Sequence, residues 1–403
     1  MKKGICKSIT IISLLFLLII STNVSFEKIF SLPENFIVSY DEIKESNLSK
    51  KFGSLVSVGL EKKIQNTAKG EAEKDYIVFK LFGFIPVKKV AIELAPEEEV
   101  YLGGVPIGIS ITANGAIVVE ENLVLTSVGE VSTQKTEKFK KGDIIYQING
   151  KEIKTLDDIE VVVNNADENN FEVDFLRQNK KMRAVIKGVY NNENKLKLGL
   201  LVKDDVTGIG TLTYVNTKTN KFGALGHAIT DQENIIKVFD GKIYDCNLLG
   251  IQKGERNNPG QLRCVFLQSS GSKGEIQKNN KYGVFGEIED KSSIIDENLT
   301  AKIGGRLSVN PGKAKIVSSI SGIREEYEIE IIKANYQSVA DDKSIVFRVT
   351  DDRLLKLTGG IVQGMSGSPI IQNNKVVGAV THVFISDPTK GYGVYSDWMV
   401  LNE

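Results

Sequence analysis

The stretch Gly364-Met365-Ser366-Gly367-Ser368-Pro369 decides how the second half of this chain is interpreted. Ser366 lies two positions after one glycine and directly before another, and a proline ends the turn. Small residues let a substrate carbonyl approach the backbone, and a tight turn can aim N–H groups at a developing oxyanion. The pattern indicates an acyl-transfer nucleophile at Ser366. The alternative is a plain turn before a strand, because Gly, Ser and Pro also form turns.

The composition is that of a globular protein of two or three domains. Of 403 residues, 41% are hydrophobic and 25% are charged, and Lys+Arg and Asp+Glu both number 51. The absence of a basic excess argues against a nucleic-acid partner. With 37 glycines and 8 prolines, the chain is expected to have many turns between strands. Cys6, Cys246 and Cys264 form no disulfide framework. Cys6 lies in the apolar leader, which leaves Cys246 and Cys264 as one possible pair; we predict that both are unpaired thiols, and that the chain needs no metal or organic cofactor.

Residues 1–26 are predicted to be a signal peptide or a membrane anchor. Lys2, Lys3 and Lys7 precede an apolar run from Ile9 to Ile20. A positive region before an apolar stretch is typical of an export signal whose start stays in the cytoplasm. The weak cleavage candidate at residues 21–25 leaves both a cleaved signal and an uncleaved anchor open. We therefore expect the working part of the chain to lie outside the cytoplasm.

Residues 27–99 are predicted to be a stalk with some strand structure, and residues 100–190 a small β-domain. In the second region, Phe139–Ile153 contains Gly-Asp before an apolar strand and closes with an Asn-Gly turn, which predicts a hairpin. Thr155 then caps a predicted helix. This run resembles a PDZ domain. The resemblance implies that Ile107, Gly108 and Ile109 form the loop whose amides receive a peptide carboxylate, beside a strand edge that accepts an extended peptide. The alternative is that these apolar residues fill a core.

Residues 191–403 are rich in short strands, which favours an antiparallel barrel architecture. The chain contains two histidines, His227 and His382. Glycine and alanine precede His227, and they leave one face of its imidazole open, so we predict His227 to be the base. His382 lies sixteen residues after Ser366, where alternation along a strand favours a core or surface role.

A third group is expected to orient the histidine. Asp351 and Asp352 lie fifteen and fourteen residues before Ser366, at a predicted strand end. Adjacent residues of an extended chain point to opposite sides, so one of the two is expected to serve. Asp231 is a further candidate, although it lies close enough to His227 to cap the next segment instead.

The order His…Asp…Ser, followed by a hairpin at residues 369–380, resembles chymotrypsin-like peptidases. This resemblance implies that the backbone N–H groups of Gly364 and Ser366 form the oxyanion hole. The fold expected is mainly β: a PDZ domain followed by a chymotrypsin-like double β-barrel, after an N-terminal signal or transmembrane segment. The main rival is a PDZ scaffold whose degenerate protease barrel acts by binding alone. A third hypothesis is an acyl hydrolase that uses the same residues on non-peptide substrates.

Taken together, the leader, the PDZ-like run, Gly223–His227 and Thr358–Ile370 resemble the stage IV sporulation protein B family of serine peptidases. The resemblance implies that His227, Asp351 and Ser366 match base, orienting acid and nucleophile, with Asp352 one position away. It further implies export from the forespore into the space between its two membranes. The resemblance also implies that the peptidase cleaves itself and then a membrane-embedded regulator of the pro-sigma-K processing complex, and that the PDZ domain governs self-cleavage and target recognition.

Overall fold

The computed structural model describes residues 26–38, 52–67, 70–94, 98–133, 138–232, 234–335, 337 and 340–403. The predicted signal or anchor, residues 1–26, lies outside these ranges apart from its last residue. No helix within the described ranges is long and apolar enough to cross a membrane. The N-terminal prediction therefore stays a prediction.

The region predicted to be a stalk contains a packed sheet. Its elements are α1 (Phe26–Phe30), β1 (Asn35–Val38), β2 (Val56–Thr67), β3 (Gly70–Leu81) and β4 (Ile85–Leu94). The strand order is β1-β4-β3-β2, and β1 pairs with β4 in parallel. A cluster that includes Phe36, Phe52 and Phe79 is buried against this sheet. The consecutive residues Ile77, Val78 and Phe79 of β3 are all buried.

The following segment of the chain contains strands and one helix. They are β5 (Glu99–Leu102), β6 (Pro106–Glu121), β7 (Val124–Thr126), β8 (Gly129–Val131), β9 (Ile144–Ile148), β10 (Lys151–Glu152), α2 (Leu156–Asn164), β11 (Asn170–Arg177), β12 (Lys180–Lys187), β13 (Val189–Tyr190) and β14 (Leu196–Lys197). The predicted hairpin and helix are confirmed. Asn149 and Gly150 both have positive φ, at 49° and 76°, and they connect β9 to β10. The Thr155 N–H donates to Asp158 Oδ2 at 2.9 Å at the start of α2.

Strand β6 is long and contains Asn114-Gly115, a residue pair that is also common in tight turns. The strand runs on through both residues, and Gly115 adopts a φ of 134°. It contributes to two cores, because Ile107, Ile109 and Ile117 belong to one buried cluster and Ala116 and Val118 to another. The second cluster includes Phe171 and extends to Leu198. The hydrophobic cores therefore do not follow the predicted boundaries at residues 100 and 190.

The remaining strands are longer and mostly antiparallel. They are β15 (Leu200–Asn216), β16 (Lys221–Ala224), β17 (Thr230–Asp231), β18 (Asn234–Ile235), β19 (Val238–Gln252), β20 (Gln261–Phe266), β21 (Gly274–Asn280), β22 (Gly283–Ile288), β23 (Thr300–Ile303), β24 (Gly312–Ser318), β25 (Glu325–Ala334), β26 (Ile345–Val349), β27 (Pro369–Gln372), β28 (Lys375–Val383) and β29 (Lys390–Tyr395). Short helices lie among them: a 3-10 turn at Gln268–Ser270, α3 (Asp352–Thr358) and α4 (Ser396–Val400). The mainly β prediction is confirmed. Cys246 and Cys264 are free thiols, as predicted.

These strands form a closed network that encloses two separate cores. We call the first lobe the part built around Leu212, Phe222 and Ile243, and the second lobe the part built around Phe347 and Ile370. A further buried cluster joins the lobes; it includes Tyr214, Phe285, Ile371, Val376 and Met399. The lobes are therefore fixed against each other by apolar burial, which stabilises any site that lies between them.

Candidate active site

A cavity of about 540 Å³ lies where the two lobes meet. The first lobe contributes His227 from the turn after β16, and the second contributes Ser366 from the loop between α3 and β27. Gly364, Thr381 and His382 also line the cavity. The structure thus brings together the predicted nucleophile, the predicted base and the predicted oxyanion glycine.

The turn that carries His227 needs left-handed backbone. Leu225 and Gly226 have φ values of 67° and 72°. A Cβ on Gly226 would lie 3.0 Å from the Thr381 side chain of the second lobe, so the glycine lets this turn approach the neighbouring lobe closely. The signal that pointed to His227, small residues before it, has this physical basis.

The imidazole of His227 is held by a backbone carbonyl. Its Nδ1 lies 2.9 Å from the oxygen of Ala228. Because a carbonyl only accepts, Nδ1 carries the proton and Nε2 keeps its lone pair. Burial lowers the pKa of His227 below its ordinary value, partly offset by the bond to Ala228. The ring is thus in the tautomer and charge state that a general base needs.

The loop around Ser366 is clamped by strand β15 of the first lobe. The Thr211 N–H donates to the Ser366 carbonyl at 2.8 Å, and Thr211 Oγ1 donates to the Gly364 carbonyl at 2.7 Å. Thr213 Oγ1 donates to the Gly367 carbonyl at 2.8 Å. Both threonines are buried. Sequence reasoning missed them; alternation places them on one face of a strand, but nothing in the sequence shows which loop they contact.

The two predicted oxyanion donors are unengaged. Among the described residues, neither the Gly364 N–H nor the Ser366 N–H donates a hydrogen bond, whereas both carbonyls are held by Thr211. Gly364 has a φ of 98°, which glycine tolerates. The Ser366 hydroxyl donates to the Thr381 carbonyl at 2.8 Å. The nucleophile loop therefore has its carbonyls fixed and two N–H groups available beside the cavity.

The second histidine lies beside the first. The ring centroids of His227 and His382 are 5.2 Å apart. Burial lowers the pKa of His382 to about 4, with smaller contributions in the same direction from His227 and Lys343. The Nδ1 atom of His382 is buried and has no hydrogen-bond partner among the described residues. The sequence argument that placed His382 away from the chemistry is corrected, because its ring lines the same cavity.

The predicted acidic residues are placed elsewhere. The Asp351 carboxylate caps α3 by accepting from the Arg353 N–H at 2.9 Å, and it forms an ion pair with the Arg353 guanidinium. These bonds hold the pKa of Asp351 at about 2. Asp352 is exposed, and Asp231 pairs with Lys203 at 2.8 Å. Within the described part of the chain, none of the three carboxylates hydrogen-bonds to His227, whose Nδ1 is already taken by Ala228.

The three residues predicted to receive a peptide carboxylate lie in a strand instead. Ile107, Gly108 and Ile109 belong to β6, which pairs with β15 on one edge and with β19 on the other. Ile107 and Ile109 are also buried in the first-lobe core. Because both edges are already hydrogen-bonded, this part of β6 has no edge left to receive a peptide.

A groove elsewhere has the features that were assigned to Ile107–Ile109. A cavity of about 530 Å³ lies between α2 and the start of β15, and Leu198-Gly199-Leu200 lines it. Gly199 has a φ of 66°. From Leu200 to Lys203, β15 pairs with β6 and with no other strand among the described residues. The signal was the same apolar-Gly-apolar pattern, which occurs in the chain at both places.

The family model described as SpoIVB peptidase S55 matches residues 194–400. Among solved structures, the PDZ domain of the SdrC-like protein from Listeria monocytogenes is similar at 16% identity over 23% of this chain and 90% of that one, with a TM-score of 0.19. The Rv3671c protease in its inactive form is similar at 11% identity over 48% and 82%, with a TM-score of 0.27. No curated protein matches.

The family match covers His227 and Ser366, the two residues that the geometry brings together. It also covers Thr211 and Thr213 of β15, which hold the Ser366 loop. It spans just over half of the 403 residues. The chain belongs to the SpoIVB peptidase S55 family, a family of peptidases.

Proposed function

We propose that this peptidase is a serine endopeptidase. Ser366 attacks the peptide carbonyl, His227 Nε2 accepts the hydroxyl proton and later returns it to the leaving amine, and the N–H groups of Gly364 and Ser366 stabilise the oxyanion. One observation carries the proposal: a nucleophile loop with two unengaged N–H groups shares a cavity with a histidine in the basic tautomer.

The hydroxyl of Ser366 has to turn before it reacts. It donates to the Thr381 carbonyl, and rotation about χ1 would redirect it towards the imidazole. The Ala228 carbonyl orients His227, a task that a carboxylate performs in a Ser-His-Asp triad. The assignment of Asp351 as the orienting acid stays a prediction from the family resemblance, and its observed contacts favour a role in capping α3.

A serine-directed fluorophosphonate probe tests the nucleophile. We expect the full-length chain to be labelled, and Ser366→Ala and His227→Ala to lose labelling. Ser368→Ala is a matched control two residues away in the same loop, and it should be labelled like the wild type. Labelling that persists in Ser366→Ala would refute the nucleophile. A wild type that is neither labelled nor active, yet supports signalling, would favour the non-catalytic scaffold.

We also propose the finer role that the family implies: an exported sporulation peptidase that cleaves itself and then a membrane-bound regulator of pro-sigma-K processing. The membership of the S55 family supports this role. The purified full chain is expected to shorten with time, whereas Ser366→Ala should stay at full length under the same conditions. Cleavage that continues in Ser366→Ala would contradict self-processing.

The groove between α2 and β15 supports a second function, the binding of extended peptides. An unpaired strand edge offers main-chain hydrogen bonds, Leu156 and Ile159 supply an apolar wall, and Lys195 and Lys197 lie at the same cavity, where they complement a terminal carboxylate. We propose this groove, and not Ile107–Ile109, as the peptide site.

A pair of substitutions on α2 tests the groove. Ile159→Glu should abolish binding of peptides that end in an apolar residue and a free carboxylate, measured by fluorescence anisotropy. Val161→Glu is the control, because Val161 lies on the same helix, is 57% exposed and does not line the groove. Equal affinities for the two variants would contradict a peptide site here.

A further inference from the structure

The side chains that line the active-site cavity indicate which substrate side chains it can hold. Among the described residues that line it, none is Asp, Glu, Lys or Arg. Branched aliphatic side chains dominate, with Val206, Ile209 and Ile229 from the first lobe and Ile361, Val362 and Val383 from the second. In a chain with 25% charged residues, a cavity of this size without a charged wall residue favours uncharged occupants.

Charged groups are near but stay outside the lining. Lys343 lowers and Asp341 raises the pKa of His382, so both act on the site through space. Neither residue lines the cavity. A charged substrate side chain would therefore lose its water without gaining an ion-pair partner at the wall, and this loss is expensive.

Two strand segments at the cavity are paired on one side only, among the described residues. Between Val206 and Ile209, β15 pairs with β6 on one side, and no other strand is recorded beside it in the described ranges. At His382 and Val383, β28 pairs with β29, while its ladder with β27 ends at Ala379. Both segments line the cavity that contains Ser366. An extended backbone can therefore pair along either edge while its side chains reach the aliphatic walls.

We propose that the peptidase cleaves extended segments in which aliphatic, uncharged side chains flank the scissile bond, and that it rejects Lys, Arg, Asp and Glu at these positions. The inference rests on the proposed function, because it assigns a substrate class to the same cavity. The structure also provides a position from which to test the walls. Gly208 lines the cavity between Val206 and Ile209, and no atom lies within 4 Å of a Cβ built on it.

The first experiment compares peptides on the full-length chain. A series differs only in the residue whose carbonyl is attacked: Leu, Val, Lys, Arg, Asp and Glu. We expect kcat/KM for the charged members to be lower than for Leu by about 100-fold or more, with Ser366→Ala as the background. Equal rates across the series, or a preference for a charged residue, would overturn the inference.

The second experiment changes the wall and keeps its size. Gly208→Asp should raise kcat/KM for the Lys peptide relative to Gly208→Asn by about 10-fold or more, because the aspartate supplies the missing ion-pair partner. The same ratio for the Leu peptide should fall below one. Identical specificity in the two variants would contradict a side-chain subsite beside Gly208.

Labelling of Ser366 by a fluorophosphonate distinguishes a failure of the proposed specificity from a failure of the proposed function. Labelling together with cleavage that ignores side-chain charge would overturn the specificity and leave the serine peptidase in place. Absence of labelling and of Ser366-dependent cleavage would overturn the proposed function and the specificity with it.

Discussion

The imidazole rings of His227 and His382 lie 5.2 Å apart and are inclined by 39°. They come from different lobes, because His227 follows β16 and His382 lies in β28. These are the two histidines of the chain, and both line the cavity that contains Ser366. They differ in their contacts: the Nδ1 of His227 is held by a carbonyl, whereas that of His382 has no partner among the described residues.

This difference predicts which histidine is the base. His227→Gln should lower the rate of fluorophosphonate labelling by about 100-fold to 10,000-fold, the usual contribution of a general base. His382→Gln should lower it by less than about 10-fold, since that ring is placed beside the base and not oriented for proton transfer. The labelling rates of the two variants, measured at one pH, decide between them. A larger loss in His382→Gln would reverse the assignment.

The pH dependence of the reaction follows from the direction of the pKa shift. Burial lowers the pKa of His227 below 6.5, and the base has to be neutral to accept a proton. The acid limb of the labelling rate should therefore have its midpoint below pH 6.5, and activity should be retained at neutral pH. Because the pKa of His382 is about 4, His382→Gln should leave this limb in place. A midpoint above pH 6.5 would contradict the buried neutral imidazole.

Thr211 is expected to position the oxyanion hole. Thr211→Val keeps the shape of the side chain but leaves the Gly364 carbonyl without its donor, which costs about 1–3 kcal/mol. If the unpaired carbonyl destabilises the geometry that the loop needs for catalysis, kcat drops by about 10-fold to 100-fold and KM changes little. Thr211→Ser restores the hydroxyl and should recover most of the activity. A loss in Thr211→Ser as large as in Thr211→Val would argue against this hydrogen bond.

Asp351 is expected to act through the helix that it caps. Asp351→Ala removes the cap of α3 and the ion pair with Arg353, so it should lower the free energy of unfolding by about 1 kcal/mol or more. Asp351→Asn keeps a capping side chain and should retain most of the labelling rate. Urea unfolding and labelling, measured on both variants, separate the roles.

One result would show that Asp351 is the third member of a Ser-His-Asp triad. If Asp351→Asn were as inactive as His227→Ala while its free energy of unfolding matched the wild type, the carboxylate charge would be acting on His227. Asp352→Asn is the matched control, because Asp352 is exposed and begins the same helix.

Neighbouring residues alone were enough to predict local elements. Asn149-Gly150 predicted a tight turn and Thr155 a helix start, and the structure has both. The glycines around Ser366 and before His227 pointed to two residues that line the same cavity in the structure. The tertiary structure decided which residues meet. It placed Thr211 on the Ser366 loop and His382 beside His227.

The peptide site shows why the sequence could not decide this. Ile107-Gly108-Ile109 and Leu198-Gly199-Leu200 carry the same pattern, and the difference between them is the neighbours that long-range strand pairing supplies. The first lies between β15 and β19, whereas the second opens beside α2. Hydrogen bonds between residues far apart in the chain leave no local trace in the sequence, so the position of a free edge becomes visible only in the folded chain.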